Sequence, residues 1–272
     1  MAREIKPYEE LELKDDFMFG LIMHDPKYVK PFLEMILKIK IRKVVYPQSQ
    51  KSIDLSVNAK AIRLDVYVED DQNTVFNLEM QTSDNRNLPK RMRYYQGVID
   101  LNILQKGQDY TKLKKSYVIF ICTFDPFGEG RHIYTFCNTC QENTALTLDD
   151  DAVKIILSTK GTMDDVSPEM KRILDYIDGK GASDEYTKQL EEAVRSARQN
   201  ESWRLGYMTL EYEYRQRYEE GLKEGEETGI AKTNERSIRK LYKRGESIAS
   251  IAEFVELDEE AVKRIIKAMG LE

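Results

Sequence analysis

Two stretches, Ile62-Arg63-Leu64-Asp65-Val66-Tyr67-Val68 and Val75-Phe76-Asn77-Leu78-Glu79-Met80-Gln81, decide the reading of this chain. Each alternates apolar with other residues, the period of an extended strand, and the turn formers Asp70-Asp71-Gln72-Asn73 lie between them. The pattern predicts a β-hairpin. If its loop has an odd number of residues centred on Gln72, Asp65 falls directly across from Glu79, and opposed residues of an antiparallel pair project from one face. Gln81, two residues beyond Glu79, joins that face, while Met80 points away and leaves its carbonyl oxygen near the same edge.

Two carboxylates, a carboxamide oxygen and a main-chain carbonyl make an all-oxygen partial shell, which suits Mg²⁺ or Mn²⁺ far better than zinc. Such a cation lowers the pKa of a bound water and neutralises the charge that grows on a phosphate during hydrolysis. From spacing alone, Asp65 and Glu79 could instead solvate the outer face of a sheet. Against that, carboxylates are disfavoured on strands, and these two sit on segments otherwise apolar enough to be internal.

Outward from the hairpin, Asp15 to Leu37 carries apolar residues at helical spacing, interrupted by His24-Asp25-Pro26, and predicts two short helices. After Pro89, Met92, Tyr95, Val98, Ile99, Leu101 and Leu104 read as an amphipathic helix closed by Gly107. The continuous apolar run Ser116 to Phe124, rich in β-branched and aromatic residues, predicts a strand buried on both faces at the centre of the sheet. A further strand, His132 to Cys137, follows the turn-rich Asp125-Pro126-Phe127-Gly128-Glu129-Gly130.

Beyond about Gly161 the chain becomes charged and helix-favouring. Gly221, Gly225 and Gly229 recur every four residues, each costing a helix up to about 1 kcal/mol relative to alanine. That segment is either a helical stripe for close approach or a flexible linker, and we take it as a linker. From Ile238 the pattern is helix, turn, helix, turn, helix, similar to a helix-turn-helix unit. Asp258, Glu259 and Glu260 crowd the start of its last helix, where phosphates would approach, so a protein-contact or dimerisation role is favoured over reading DNA. The expected domains are a core over residues 1–160, a helical extension with a Glu/Gly-rich linker over 161–236, and the small helical unit over 237–272.

A net charge of −6 argues against non-specific coating of nucleic acid, which needs many Lys and Arg contacts to phosphates, but leaves room for a local basic strip in an acidic protein. No apolar run approaches the roughly 18 residues of a spanning helix, and the opening Met1-Ala2-Arg3-Glu4-Ile5-Lys6-Pro7 lacks the apolar core of a signal peptide, so a cytoplasmic protein with no membrane association is expected. Cys122, Cys137 and Cys140 read as reduced thiols.

Leu64-Asp65-Val66-Tyr67-Val68-Glu69-Asp70, then Asn77-Leu78-Glu79-Met80-Gln81-Thr82, then Arg91-Met92-Arg93-Tyr94-Tyr95 closely resembles the PD-(D/E)XK nuclease family transposases, related to the Rpn recombination-promoting nucleases. The resemblance runs from about Asp16 to about Thr123, with a looser likeness near Gly221 to Gly229. It implies a restriction-endonuclease-like α/β fold, a mixed central sheet flanked by helices, with a helical C-terminal extension. It also implies a Mg²⁺- or Mn²⁺-dependent DNA endonuclease connected with transposition or recombination, with Asp65, Glu79 and Gln81 catalytic and the metal on Asp65, Glu79 and the Met80 carbonyl. The alternative is an inactive nuclease fold kept for binding nucleic acid or for assembly, including a homodimer through the C-terminal extension.

Two departures matter. The wider superfamily has Lys where this chain has Gln81, although Gln is usual in this branch; Lys90, Arg91 or Arg93 on the next helix either supplies the missing charge or merely solvates that helix. Relatives also tend to carry Asp-x-x-Phe-Lys near the start, where this chain has Asp16-Phe17-Met18-Phe19-Gly20. Asp16 is either an accessory site residue or the N-cap of the first helix. Tyr94 and Tyr95 either stack on bases or pack their helix. His24 and His132 are at no ligand spacing and are left out of the site.

Overall fold

A computed structural model of the chain describes residues 5–46 and 65–271, with the backbone of 52–53 and 62–63; Leu64 of the first quoted stretch and residues 1–4 lie outside the described residues. The two compact units divide between Arg204 and Leu205.

The first unit opens with the expected helix pair, α1 (Asp16–Met23) and α2 (Pro26–Leu37). The break has a local cause. Asp25 caps α2 by accepting from the Lys27 amide, and Pro26 takes the first helical position, where its missing N–H leaves nothing unsatisfied. Then come β1 (Val44–Val45), a separate two-stranded pair of β2 (Ser52–Ile53) with β3 (Ile62–Arg63), and the hairpin of β4 (Val66–Asp70) and β5 (Val75–Gln81). The strand expected from Ile62 to Val68 is therefore divided: Ile62 and Arg63 pair with β2, and the hairpin strand begins at Val66. Val66 pairs with Leu78 and Glu69 with Val75, the register of a loop centred on Gln72. Asp70 closes the turn by accepting from the Gln72 and Thr74 amides, and Asn73 takes the left-handed conformation (φ 65°) that a short polar side chain tolerates.

Helix α3 (Leu88–Ile103) crosses from β5 to β6 (Ser116–Cys122), and β7 (Ile133–Phe136) and β8 (Ala152–Ser158) complete a six-stranded sheet in the order β1-β4-β5-β6-β8-β7. β5, β6 and β8 are mutually parallel, while β4 and β7 run antiparallel to their neighbours. One face packs on α3, through Met92, Tyr95, Val98 and Ile99 against Val75, Val118, Phe120 and Ile156. The alternate residues, Phe76, Leu78, Ile119, Ile121 and Leu157, are buried on the opposite face. There α1 and α2 meet α4 (Pro168–Ile177) and α5 (Glu185–Arg198). α5 is anchored at depth: Tyr186 Oη donates to the Tyr28 carbonyl and Tyr8 Oη to that of Ala197, both at 2.6 Å, and Arg198 Nε donates to the Leu11 carbonyl at 2.7 Å. These bonds fix the segment leading into α1. The architecture is a mixed α/β, restriction-endonuclease-like sheet flanked by helices, followed by a helical C-terminal region.

The far side of the sheet holds a clasp. His132, 2% exposed, lies 2.9 Å from Asp165 through Nδ1, and its backbone N–H donates to the same carboxylate. Gly161 lies directly against it. All three cysteines are free, and burial pushes the Cys122 thiol up to about 12.

Helix α6 (Glu201–Tyr242), most of which belongs to the second unit, passes unbroken through Gly221, Gly225 and Gly229, which corrects the linker reading. Propagating an existing helix costs far less than nucleating one, and the intervening Leu, Lys and Glu residues are strong helix formers. A β-carbon at any of the three glycines would meet nothing within 4 Å among the described residues. Replacing all three by alanine is therefore expected to raise helix content and the thermal midpoint, each change contributing up to about 1 kcal/mol, as circular dichroism melts would show.

The end of α6 then packs with α7 (Ile248–Val255) and α8 (Glu259–Ala268) around Ile238, Ile251, Val255, Val262 and Ile266. Ser247 and Asp258 cap α7 and α8 by accepting from Ser250 N and Ala261 N. Among the described residues no helix is long and apolar enough to cross a membrane.

Candidate active site

One residue beyond the last pair of the hairpin, Val66 with Leu78, Asp65 lies beside Glu79. Backbone and side chains interlock there: Asp65 N donates to Glu79 Oε1 at 3.2 Å, and Met80 N donates to Asp65 Oδ2 at 3.0 Å. Asn77, one alternation earlier on the same face, donates its side-chain amide to Glu79 Oε1 at 3.1 Å. The Gln81 carbonyl turns toward β6 and accepts from Thr123 N, so the neighbouring Met80 peptide groups face the β4 edge, where the Asp65 carboxylate lies.

These residues open onto a cleft of about 360 Å³ lined by Lys14, Asp15, Asp16, Asp65, Glu79, Met80, Gln81, Thr82, Ser83, Arg91 and Tyr95. Four of its walls come from different elements: the segment before α1, the start of β4, the end of β5 and the first turns of α3. Glu79 is only 3% exposed. Burial, followed by the negative charge of Asp65, pushes its carboxyl well above the usual carboxylate range, against the hydrogen bonds from Asp65 N and Asn77 and the charge of Arg91.

Arg91 reaches into the cleft from α3. One of its nitrogens donates to Gln81 Oε1 and another to Tyr95 Oη at 3.2 Å, and the guanidinium carbon lies 5.2 Å from the centre of the Phe120 ring. The other end of the Gln81 side chain is also engaged, its Nε2 donating to the Ser83 carbonyl. Tyr95 is buried beneath, its ring 5.6 Å from Phe120, and burial together with the Glu79 charge raises its hydroxyl to about 12.

Asp16 enters the cleft as the first residue of α1, not as its cap. Asp15 holds the N-cap position, and its carboxylate is occupied elsewhere, accepting from Lys6 Nζ and Glu12 N at 2.7 Å each. Gly20 has a steric reason to differ from the lysine of the resembling sequences. A β-carbon there would sit 3.2 Å from the Asp65 carbonyl oxygen, so α1 approaches the start of β4 more closely than most side chains allow.

Of the cations considered on α3, Lys90 and Arg93 are exposed and do not line the cleft, and the same holds for Tyr94, whereas Arg91 and Tyr95 turn inward. His132 lies in its own clasp with Asp165. Sequence reasoning passed over Lys14, which borders the cleft and pairs with Glu12 at 2.8 Å; its place next to the acidic pair Asp15-Asp16 is the signal that could have found it.

The donor set fits a hard divalent cation. Two carboxylates and the Met80 main chain line one cleft, an all-oxygen donor set, and the raised Glu79 carboxyl reflects its burial next to the negative charge of Asp65, which the Arg91 charge only partly offsets. Among the described residues, no three His, Cys, Asp or Glu side chains are gathered closely enough to hold a metal by themselves, so the main chain or water would complete the shell.

No curated protein and no solved structure matches the chain. A family model does, over residues 14–160, which span the cleft, the whole sheet and more than half of the 272 residues. Nucleases of the PD-(D/E)XK kind typically use divalent metal ions, in keeping with these donors. On that match the chain belongs to the PD-(D/E)XK nuclease family transposases.

Proposed function

We propose that the chain is a Mg²⁺- or Mn²⁺-dependent endonuclease that hydrolyses phosphodiester bonds in DNA during transposition or recombination. The observation that carries this reading is the meeting of Asp65 and Glu79 in one cleft, with the Glu79 carboxyl raised by burial and by its neighbour's charge. A buried acid and a half-buried one that repel each other are stabilised by a cation between them. Asp65, Glu79 and the Met80 carbonyl would hold that cation, with Asp16 an accessory group at the rim. Once bound, it would lower the pKa of an attacking water and neutralise charge growing on the phosphate. The remaining work falls to the chain itself. Arg91 offers its guanidinium to phosphate oxygens, and the Tyr95 hydroxyl, protonated at neutral pH, donates beside it. Arg93, exposed on the same helix, contacts the DNA backbone outside the cleft.

The protein acts in the cytoplasm, and we assign the C-terminal helical region to protein contact, with a homodimer setting two clefts against two strands. Supercoiled plasmid incubated with purified protein tests the reading. Nicking is expected with Mg²⁺ or Mn²⁺ and should vanish when EDTA removes the metal. Persistent cleavage in EDTA would rule out the metal mechanism. Folded protein that never cuts in any divalent cation would favour an inactive fold that binds nucleic acid or assembles with partners.

A further inference from the structure

Gln81 lies on the same face as Glu79, but its side chain is spent. The carboxamide oxygen accepts from Arg91 and the amide nitrogen donates to the Ser83 carbonyl, and the residue is only 9% exposed. Arg91, in turn, is held by neutral groups: the Gln81 oxygen, the Tyr95 hydroxyl and the face of the Phe120 ring. Among the described residues no carboxylate lies within ion-pairing distance of it, although Glu79 and Asp65 share its cleft. A guanidinium has five N–H donors, and two of them have hydrogen-bond partners among the described residues. Its charge is thus kept in the cleft, oriented by neutral groups and with no carboxylate among the described residues paired to it, a state suited to meeting an anion.

We propose that Gln81 is the positioning residue of Arg91 rather than a ligand of the cation, and that Arg91 so placed binds the phosphate that is cut. The amide is suited to this work because it accepts a hydrogen bond without bringing a negative charge. A carboxylate at residue 81 would form a bidentate ion pair with the guanidinium and cancel it. The inference rests on the nuclease reading, yet it makes the opposite prediction from a ligand role for Gln81.

The experiment compares wild type with Gln81→Ala, Gln81→Glu, Arg91→Ala and the double variant Gln81→Ala/Arg91→Ala. Mn²⁺ affinity is read by calorimetry, plasmid cleavage under saturating Mn²⁺, and folding by circular dichroism. All four variants are expected to keep Mn²⁺ affinity close to wild type. Arg91→Ala should lower cleavage by about a hundredfold, the usual loss for one charge-stabilising donor. Gln81→Ala should lower it by less, and the double variant should be no worse than Arg91→Ala, because the amide acts through the guanidinium. Gln81→Glu should also cleave poorly despite its extra carboxylate.

A drop in Mn²⁺ affinity of roughly tenfold or more in Gln81→Ala would overturn the inference, as would Gln81→Glu cutting as well as wild type or losses that add in the double variant. If an alanine variant does not fold, Gln81→Glu and Arg91→Lys, which retain hydrogen-bonding groups at both residues, decide by the same readouts: Arg91→Lys that cleaves while Gln81→Glu does not supports the assignment, and the reverse overturns it. Wild type that binds no Mn²⁺ and cuts nothing would overturn the nuclease reading itself, whereas wild type that binds and cuts while Gln81→Ala loses the metal would overturn only the role given to Gln81.

Discussion

Replacing Glu79 by glutamine is expected to abolish metal-dependent cleavage, by about 10³-fold or more, while making the metal-free protein more stable. The loss follows from removing one of two charged donors, since a bound cation contributes several kcal/mol of transition-state stabilisation. The gain in stability follows from burial. Glu79 is almost fully enclosed beside Asp65, and its carboxyl is raised well above the usual carboxylate range. A carboxyl whose folded pKa lies above its unfolded one holds its proton more tightly in the native state. Its support for the fold is complete below the unfolded value, about 4.3, and is lost as pH rises through the raised folded value. Above that window wild type keeps a buried carboxylate against the Asp65 charge, whereas glutamine stays neutral and can still accept from Asp65 N and Asn77 Nδ2. Thermal melts in EDTA at neutral pH should place the variant roughly 2–4 °C above wild type, the shift that about 1 kcal/mol produces in a unit of this size. The gap should shrink below the window, and saturating Mg²⁺ should raise the midpoint of wild type but not of the variant. A variant that is less stable than wild type at neutral pH would contradict this account of the buried Glu79 carboxyl.

Gly161→Ala is expected to be the most damaging single-methyl change in the first unit, costing about 3 kcal/mol. A β-carbon there would lie 2.4 Å from His132 Cγ, 2.6 Å from Cδ2 and 2.7 Å from the His132 backbone nitrogen. Rotating the ring away would break its contact with Asp165, and the backbone nitrogen cannot move without loosening β7, since the His132 carbonyl accepts from Ser158 N on β8. At about 2–4 °C per kcal/mol for a unit of this size, the midpoint should fall by roughly 6–12 °C. Chemical denaturation with an unchanged slope would check it, and His132→Ala in the same background should recover only part of the loss, because the backbone clash stays.

The hairpin was legible because its turn formers and its alternation agreed on one centre, Gln72, and the register of β4 with β5 is the consequence. The central strand and the helix after Pro89 were equally plain, since a long apolar run and a helical stripe leave few alternatives. β8 carries no comparable signal. Its apolar run, Ile155-Ile156-Leu157, is short and follows three aspartates, so composition pulled attention to the loop. α4 and α5 were hidden in the same way, because their buried stripes of Met170, Ile173 and Leu174 and of Leu190 and Val194 are diluted by charged outer faces. The unbroken course of α6 through three glycines depends on helix cooperativity, which residue-by-residue propensity does not capture. At the site, spacing could place Gln81 on the face of Glu79 but could not show which partner its amide takes. Arg91 stood out from Lys90 and Arg93 only once the rotation of α3 was fixed, and Asp16 was separated from a capping role only by seeing Asp15 occupy that place.

The sheet topology also divides the cleft into two pieces of very different reach along the chain. Asp65 and Glu79 are joined by a hydrogen bond spanning 14 residues, the short closure of a hairpin, whereas Thr82 and Thr123, beside the next junction, are 41 residues apart. The acidic half belongs to one local hairpin, and the basic half arrives with the helix that bridges the parallel strands. The two halves are therefore separable units of inheritance: a crossover helix can be lengthened, shortened or replaced, and a different cation presented, without disturbing the rung on which the carboxylates meet.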